Sequence, residues 1–398
     1  MGIDIAVHRY TLTSAFGRGL AANRAGLTGG RSALSSYALA DGFPCALGRV
    51  SGLEDVAIAE RLARYDCRNN RLAELALETD GFKEAVAAVI RDVGAGRVGV
   101  VIGTSTSGIA TTEAAYRSAA FARDGVLAAD FPYRETHNVF SCADFVRRSL
   151  GAQGPALVVS TACSSSAKAF VAAARLVASG ACRAVVVGGV DSLCDTTLYG
   201  FHSLGLLSRG HPRPFSAHRD GIGVGEAAGF ALVGPPTLFG ARGGLHLVGG
   251  GESSDAYHMT APHPEALGAR EAIGAALQDA GWAPEDVDYV HLHGTGTPHN
   301  DAAEDQGLAR LGLAGVPAGS TKGAIGHTLG AAGVCGVAFV GLGMEACFMP
   351  GTANTEARDP TFHSDLLLAG RPGVIRRALV NTFGFGGSNC SLALEWRS

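Results

Sequence analysis

The sequence predicts an α/β protein assembled from two similar halves, on three observations. Short β-branched apolar runs alternate with alanine-rich stretches of helical length, the pattern of buried strands separated by crossover helices. The stretch "STACSSSAKAFVAAARL" (Ser160–Leu176) reads as a strand end, a tight turn and a small-residue helix. That layout returns in "STKGAIGHTLGAAGVCGVAF" (Ser320–Phe339), again opening on Ser-Thr and again followed by an apolar strand. Finally, 57 glycines with only 7% aromatic residues describe elements that pack closely through small side chains.

Taken in chain order, strands are expected at Arg97–Gly103, Ala156–Thr161 and Ala184–Gly189, then at Tyr289–Gly294, Pro317–Thr321 and Ala378–Gly384. The glycine-rich passage Leu238–Asp255 reads as the join, placing one half at 1–242 with the cysteine of the first segment. The other half, 243–398, carries the histidines, the lysine and a glycine-rich loop. Low-complexity linkers are absent from the sequence, so the halves are expected to share one core.

Bulk properties exclude several classes. A net charge of −4 over 398 residues, without a basic arm, argues against nucleic-acid binding. Nine scattered cysteines without a CxxC pair point to a reducing cytoplasm rather than a disulfide scaffold. The start "MGIDIAVHRY" lacks the pattern of a signal peptide, and uninterrupted apolar runs fall short of the roughly 18 residues of a membrane span.

In open α/β sheets, ligands collect outside the carboxyl ends of strands, and four polar clusters fall at such ends. Cys163, at the first turn of a small-residue helix, sits where backbone N–H groups favour a thiolate over a thiol of ordinary pKa about 8.5. His293, in "HLHGTGTPHND", is flanked by glycines that give access to its imidazole, a donor suited to developing oxyanion charge. His291 makes an HxH pair with it, but no third or fourth ligand is spaced nearby, so no metal is expected. Lys322 and His327 follow in "TKGAIGHTLGAAG"; a cation beside an imidazole holds it neutral, and Glu304, three residues beyond Asp301, is available to pair with Lys322. The loop "NTFGFGGSN", with Phe383, Gly384, Phe385, Gly386 and Gly387, suits a flexible turn that brings a backbone N–H to a reacting oxygen. It lacks the G-x-G-x-x-G spacing of a dinucleotide site, and no cofactor is expected.

At these residues the sequence resembles the elongating β-ketoacyl–acyl-carrier-protein synthases of the thiolase superfamily. The motifs are "TACSSS", "HGTGTPHND", "TKGAIGHTLGAAG" and "NTFGFGGSN", supported by "RPFSAHRDGIGVGEAAG" and "SDAYHMTAPHP", in family order from about Arg97 onward. The resemblance implies a five-layered αβαβα fold and a dimer, either of identical chains or with a related ketosynthase-like subunit. It implies that Cys163 accepts an acyl group from acyl carrier protein, with the N–H groups of Cys163 and Phe383 as the oxyanion hole. His293 and His327 would hold the malonyl thioester while carbon dioxide leaves, Phe383 would gate the site, and Lys322 with Glu304 would orient and tune His327. Fatty acid or polyketide synthesis is implied, including aryl-polyene pigments; a non-catalytic chain-length-factor-like subunit is the competing reading, set against the retained Cys163, His293 and His327. Chain length is expected to depend on Gly103–Tyr116 and on the partner chain.

Three positions depart from the family pattern. Gly336 stands where a buried glutamate is frequent, Ser216 where an acid is usual, and His291 where asparagine is more common. For an acidic carrier protein a basic patch is needed, and Arg64, Arg68 and Arg71, at i, i+4 and i+7, are expected to line one helical face.

Overall fold

The computed structural model describes residues 3–240 and 243–398, so the expected boundary at 242/243 touches residues outside the described ones. The first half contributes β1 (Ile5–Ser14), β2 (Val98–Gly103), β3 (Ala156–Val159), β4 (Ala184–Asp191) and β5 (Ala227–Gly234). They lie in the order β1-β5-β4-β2-β3. The second half contributes β6 (Gly244–Ser254), β7 (Tyr289–His291), β8 (Pro317–Gly319), β9 (Arg377–Gly384) and β10 (Ser388–Arg397), in the order β6-β10-β9-β7-β8. Strand senses match as well: in each set two antiparallel pairings are followed by two parallel ones. One unit has been used twice, and β1 pairs antiparallel with β6 at Ile5 and Leu247, so hydrogen bonding is continuous from half to half.

Both faces of each sheet are covered, which is why the strands read as unbroken apolar runs. On the outer face of the first sheet, Val98, Val100 and Ile102 pack with side chains of α1 (Arg68–Leu77) and α2 (Phe140–Leu150). Alternate residues such as Val101, Val185 and Val187 point the other way, into a central layer made by α3 (Ser165–Ala178) and its counterpart α6 (Ala332–Ala346). The outer face of the second sheet, through Val290, Leu292 and Leu379, meets α4 (Leu267–Ala280) and α5 (Pro298–Arg310). Helices, sheet, helices, sheet, helices is the five-layered order implied by the resemblance.

The stretch Leu329–Ala346 is long and apolar enough to cross a membrane by composition, yet 89% of it is buried inside this protein. It is the central-layer helix, apolar all round because a sheet packs on each side. The helices α3 and α6 approach so closely that a Cβ on Gly333 would lie 2.4 Å from the Ala167 nitrogen.

The structure corrects the register of the repeat. Ser160-Thr161 and Ser320-Thr321 are not equivalent positions. Ala162 and Leu329 each take a left-handed conformation, φ +52° in both, each opens a 3-10 turn, and each turn runs into a central helix. Cys163 therefore matches Gly330. Lys322, its short helical turn to Ile325, and His327 precede the second turn as extra chain. β7 and β8 are accordingly shorter than expected, ending where the backbone bends to carry His293 and Lys322 into the site.

Candidate active site

The three serines behind Cys163 secure a strained turn. Ser164 Oγ donates to the Thr161 carbonyl at 2.9 Å, and Ser165 Oγ donates to the Ala162 carbonyl at 2.6 Å while accepting from the Thr161 N–H. Ser166 Oγ accepts from the Val334 N–H on α6, tying the two central helices together. These bonds hold Ala162 at positive φ, at the cost usual for a non-glycine residue there, and so present the cysteine above the end of β3.

Cys163 is buried, and that decides its resting state. Burial pushes its thiol up to about 11, against the opposing pull of the Lys322 charge and of the N–H groups of Phe385 and Cys163 itself. The expected resting thiolate is thus replaced by a thiol, because loss of hydration outweighs the donors at the turn. His327 Nε2 lies 2.9 Å from the sulfur.

Each histidine has its far nitrogen occupied. His327 Nδ1 accepts from the Leu329 N–H at 3.2 Å. His293 Nδ1 faces Lys322 Nζ at 3.3 Å, and the same ammonium donates to the His293 carbonyl. Occupied Nδ1 atoms leave the ring hydrogens on Nε2. Burial, and then the Lys322 charge, hold both imidazoles well below their ordinary pKa and hence neutral. The rings stand 5.3 Å apart at 84°, and the sulfur and one ring nitrogen from each lie within 4.8 Å of one another. A soft metal would suit those three atoms by type, but it would need both Nε2 atoms free of hydrogen, against the donors that already meet Nδ1. The arrangement presents two N–H donors and a thiol to one small volume.

Lys322 touches His293 rather than the histidine it is expected to orient, while its charge lowers the pKa of His327 as expected. It contacts His293, not His327, and it makes no direct ion pair with Glu304. Glu304 instead accepts from the His293 and Gly294 N–H groups, both at 2.8 Å, and from Asn381 Nδ2. Burial pushes its carboxyl above the usual range. Asp301 accepts from the N–H groups of Thr295, Gly296 and Phe215, fixing the glycine-rich turn after β7. Both acids hold backbone, and the backbone holds His293.

Two phenylalanines in "FGFGG" change places. Phe383 lies within β9 opposite Asn389, its ring 5.8 Å from that of His293. The donor beside the Cys163 sulfur is the N–H of Phe385, not of Phe383, because β9 must end before the chain can turn toward the thiol. Phe385 opens a 3-10 turn with Gly386 at φ +80° and Gly387 at φ +73°, conformations that glycine adopts without strain. Its ring meets Phe201 edge-on at 5.8 Å. Gly386 N–H donates to the Met259 carbonyl, and Gly387 accepts from the Asp255 N–H, so two loops move or stay together. Cys163, His293, His327, Phe383, Phe385 and Phe201 line a pocket of about 70 Å³. Gly103–Tyr116 do not line it.

Two of the family departures are one change. A Cβ on Gly336 would fall 2.5 Å from Val380 Cγ1 and 3.1 Å from His291 Nδ1. The imidazole of His291 occupies room that a side chain at 336 would need, and its Nε2 pairs with Thr321 Oγ1 at 3.1 Å. Burial and the nearby Lys322 charge lower His291 to about 3, so it adds no charge. The Ser216 hydroxyl caps its own turn by accepting from the His218 N–H.

The expected arginine stripe is not one helical face. Arg64 belongs to a 3-10 turn, Glu60–Tyr65, and the chain is extended at Asp66-Cys67 before α1 begins at Arg68. Arg68 is consumed internally, bidentate on the fully buried Glu226 and paired with Glu54 at 2.7 Å. Arg71 is held by Asp66 and by the Glu54 carbonyl. Arg64 alone, with its side chain 64% exposed, is largely open to solvent.

The chain belongs to the β-ketoacyl synthase family. The family models for the beta-ketoacyl synthase N-terminal domain and C-terminal domain match residues 59–236 and 246–356. Among proteins of known name, it is similar to a 3-oxoacyl-[acyl-carrier-protein] synthase 2 of Synechocystis, 33% identical over 322 residues and 77% of each chain. It is also similar to nodulation protein E of Rhizobium meliloti, 33% identical over 75% of each. Among solved structures, the ketosynthase ApeO of Xenorhabdus doucetiae, determined in complex with its chain length factor ApeC, superposes with a TM-score of 0.91. It is 34% identical, with 99% of this chain and 98% of that one covered. A beta-ketoacyl synthase from Burkholderia phymatum gives 0.87 at 27% identity over the whole of both chains.

Proposed function

We propose that this protein elongates acyl chains by decarboxylative condensation on acyl carrier protein, with Cys163 as nucleophile and His293 and His327 as the decarboxylating pair. The observation that carries the reading is the placing of one thiol and two neutral imidazoles within 4.8 Å in a single pocket. In the first step the sulfur attacks the carrier-bound thioester, and the oxyanion is received by the N–H groups of Cys163 and Phe385. The carrier thiol leaves with the proton lost by Cys163. In the second step the malonyl thioester oxygen accepts from the two Nε2–H groups, and carbon dioxide departs. The electron pair of the broken bond forms the enolate, so no strong base is required. The enolate carbon attacks the Cys163 thioester, the tetrahedral oxyanion uses the N–H groups of Cys163 and Phe385, and the thiolate that leaves takes up a proton from water. The product is a 3-oxoacyl thioester two carbons longer.

The retained nucleophile and histidines speak against a non-catalytic, chain-length-factor-like role for this chain. The similarity to ApeO favours a partnership with such a subunit over a pair of identical chains. Fatty acid and polyketide synthesis are the pathways proposed, an aryl-polyene product being the particular polyketide case, in the cytoplasm. The half-reactions test the assignment. Cys163→Ala is expected to lose acyl-enzyme mass on incubation with acyl carriers while still releasing carbon dioxide from malonyl carrier. His327→Ala is expected to lose decarboxylation by about 10²–10³-fold, and acylation far less. Continued elongation by both variants would remove these residue roles.

A further inference from the structure

We propose that Asp191 is a positioning residue for His327, an internal anion that fills in the second half the place left open for substrate in the first. The proposal rests on the condensing reading of the site above.

The two turns that open the central helices are equivalent, Cys163 matching Gly330. Each is completed by a strand end from the opposite half. At the end of β9, the Phe385 N–H reaches the Cys163 sulfur. At the end of β4, the equivalent strand, the Asp191 carboxylate reaches the Gly330 N–H at 2.6 Å. A turn that presents N–H groups is an anion site. The first copy is open to the pocket, and the second is plugged by a carboxylate. Gly330 has to be glycine, since a Cβ there would fall 2.7 Å from Asp191 Oδ2.

Asp191 is fully buried, and every contact it makes is with a donor. Besides Gly330 these are the N–H groups of Ser105 and Thr106 and the hydroxyls of Thr104 and Thr106, all between 2.8 and 3.0 Å. Both hydroxyls already accept from backbone, Thr104 from the Ser107 N–H and Thr106 from the Ser192 N–H, so their hydrogens point at the carboxylate. Burial pushes its carboxyl above the usual range, and the hydrogen bonds from Thr106, Thr104 and Ser105 oppose that; a set made only of donors fits the ionised form. Among the described residues no cation touches it, so the charge is held by fixed dipoles. The Gly330 N–H it grips directly follows Leu329, whose own N–H meets His327 Nδ1. Through that one turn, Asp191 fixes both where His327 stands and which nitrogen carries its hydrogen. No motif marks this acid; the sequence trace is a lone carboxylate closing the apolar strand "AVVVGGVD".

The test is Asp191→Asn, which keeps the shape but forces an N–H₂ group against donors. Three quantities are measured on the variant and on the wild type: decarboxylation of malonyl carrier, acylation of Cys163 from acyl carrier, and the His327 tautomer by ¹⁵N histidine NMR. The expected result is a fall of about a hundredfold in decarboxylation, acylation within a fewfold of wild type, and loss of the pure Nε2–H signature of His327. An unchanged tautomer with wild-type decarboxylation would overturn the proposal. So would an equal fall in both half-reactions, which assigns Asp191 to the core at large. Where Asp191→Asn does not fold, Thr106→Val removes one donor at nearly constant volume. A smaller loss confined to decarboxylation supports the proposal, and no loss or an equal loss overturns it. If wild-type protein fails to decarboxylate malonyl carrier, the condensing reading fails; the NMR signature still decides whether Asp191 positions His327.

Discussion

At the scale of residues, the site is set by what each Nδ1 atom touches. Lys322 meets that of His293 and Leu329 that of His327, so the two rings carry hydrogens on the same side, toward the sulfur. Burial and the Lys322 charge both favour neutral rings. Removing the charge in Lys322→Met takes away one of those two causes, and the histidine pKa values rise. As pH is lowered the rings then protonate sooner, and the acid limb of the decarboxylation profile moves to higher pH than in wild type. A profile that keeps its acid limb would show that Lys322 acts only by holding the backbone. Cys163 and His293 were legible in sequence because each stands beside small residues at a strand end, and His327 through the family motif "TKGAIGHTLGAAG", since it lies beyond a short helical turn and not at a strand end. Phe385 was not distinguished from Phe383, since two phenylalanines separated by one glycine differ only in where the strand stops. The pairing of His291 with Gly336 was equally hidden, as the two lie 45 positions apart in a chain whose folding alone brings them together.

At the scale of elements, the two central helices decide whether the halves meet. An exposed helical glycine replaced by alanine gains about 1 kcal/mol from propensity. Gly333→Ala is expected to have the opposite sign, because its Cβ would enter the Ala167 backbone at 2.4 Å. The cost of such overpacking is about 1–3 kcal/mol, to be read as a lower midpoint in thermal or denaturant unfolding. A variant as stable as wild type would mean that α3 and α6 can separate freely. The layout of a turn feeding a small-residue helix was visible twice in the sequence, and the duplication is real. Its register was not visible: the matching Ser-Thr pairs are a coincidence of letters, while the positive φ values of Ala162 and Leu329 mark the true equivalence. The arginine spacing misled for a similar reason. A periodicity has meaning only inside one helix, and the chain is extended between Arg64 and Arg68.

At the scale of the whole molecule, β3 is an edge. Among the described residues it pairs with β2 on one side alone, is only partly buried, and exposes Leu157 at 43% immediately upstream of the turn that carries Cys163. An uncovered edge strand is a template for a second chain, and for the assembly proposed above the expected pairing edge is this one. Leu157→Lys is expected to shift the assembly toward single chains in light scattering, with loss of elongation. An unchanged mass at micromolar concentration would place the interface elsewhere.

The sequence by itself determined the class of fold, the duplication and the family motifs that hold Cys163, His293 and His327, because buried strands and tight turns both impose residue types that survive without knowledge of distant contacts. Tertiary structure alone decided the burial that keeps Cys163 a thiol, the imidazole that Lys322 touches, the N–H that faces the sulfur, and the donors gathered around Asp191. Each of these depends on burial and on groups far apart in the chain, where a hydrogen bond is decided by tenths of an ångström rather than by spacing along the sequence.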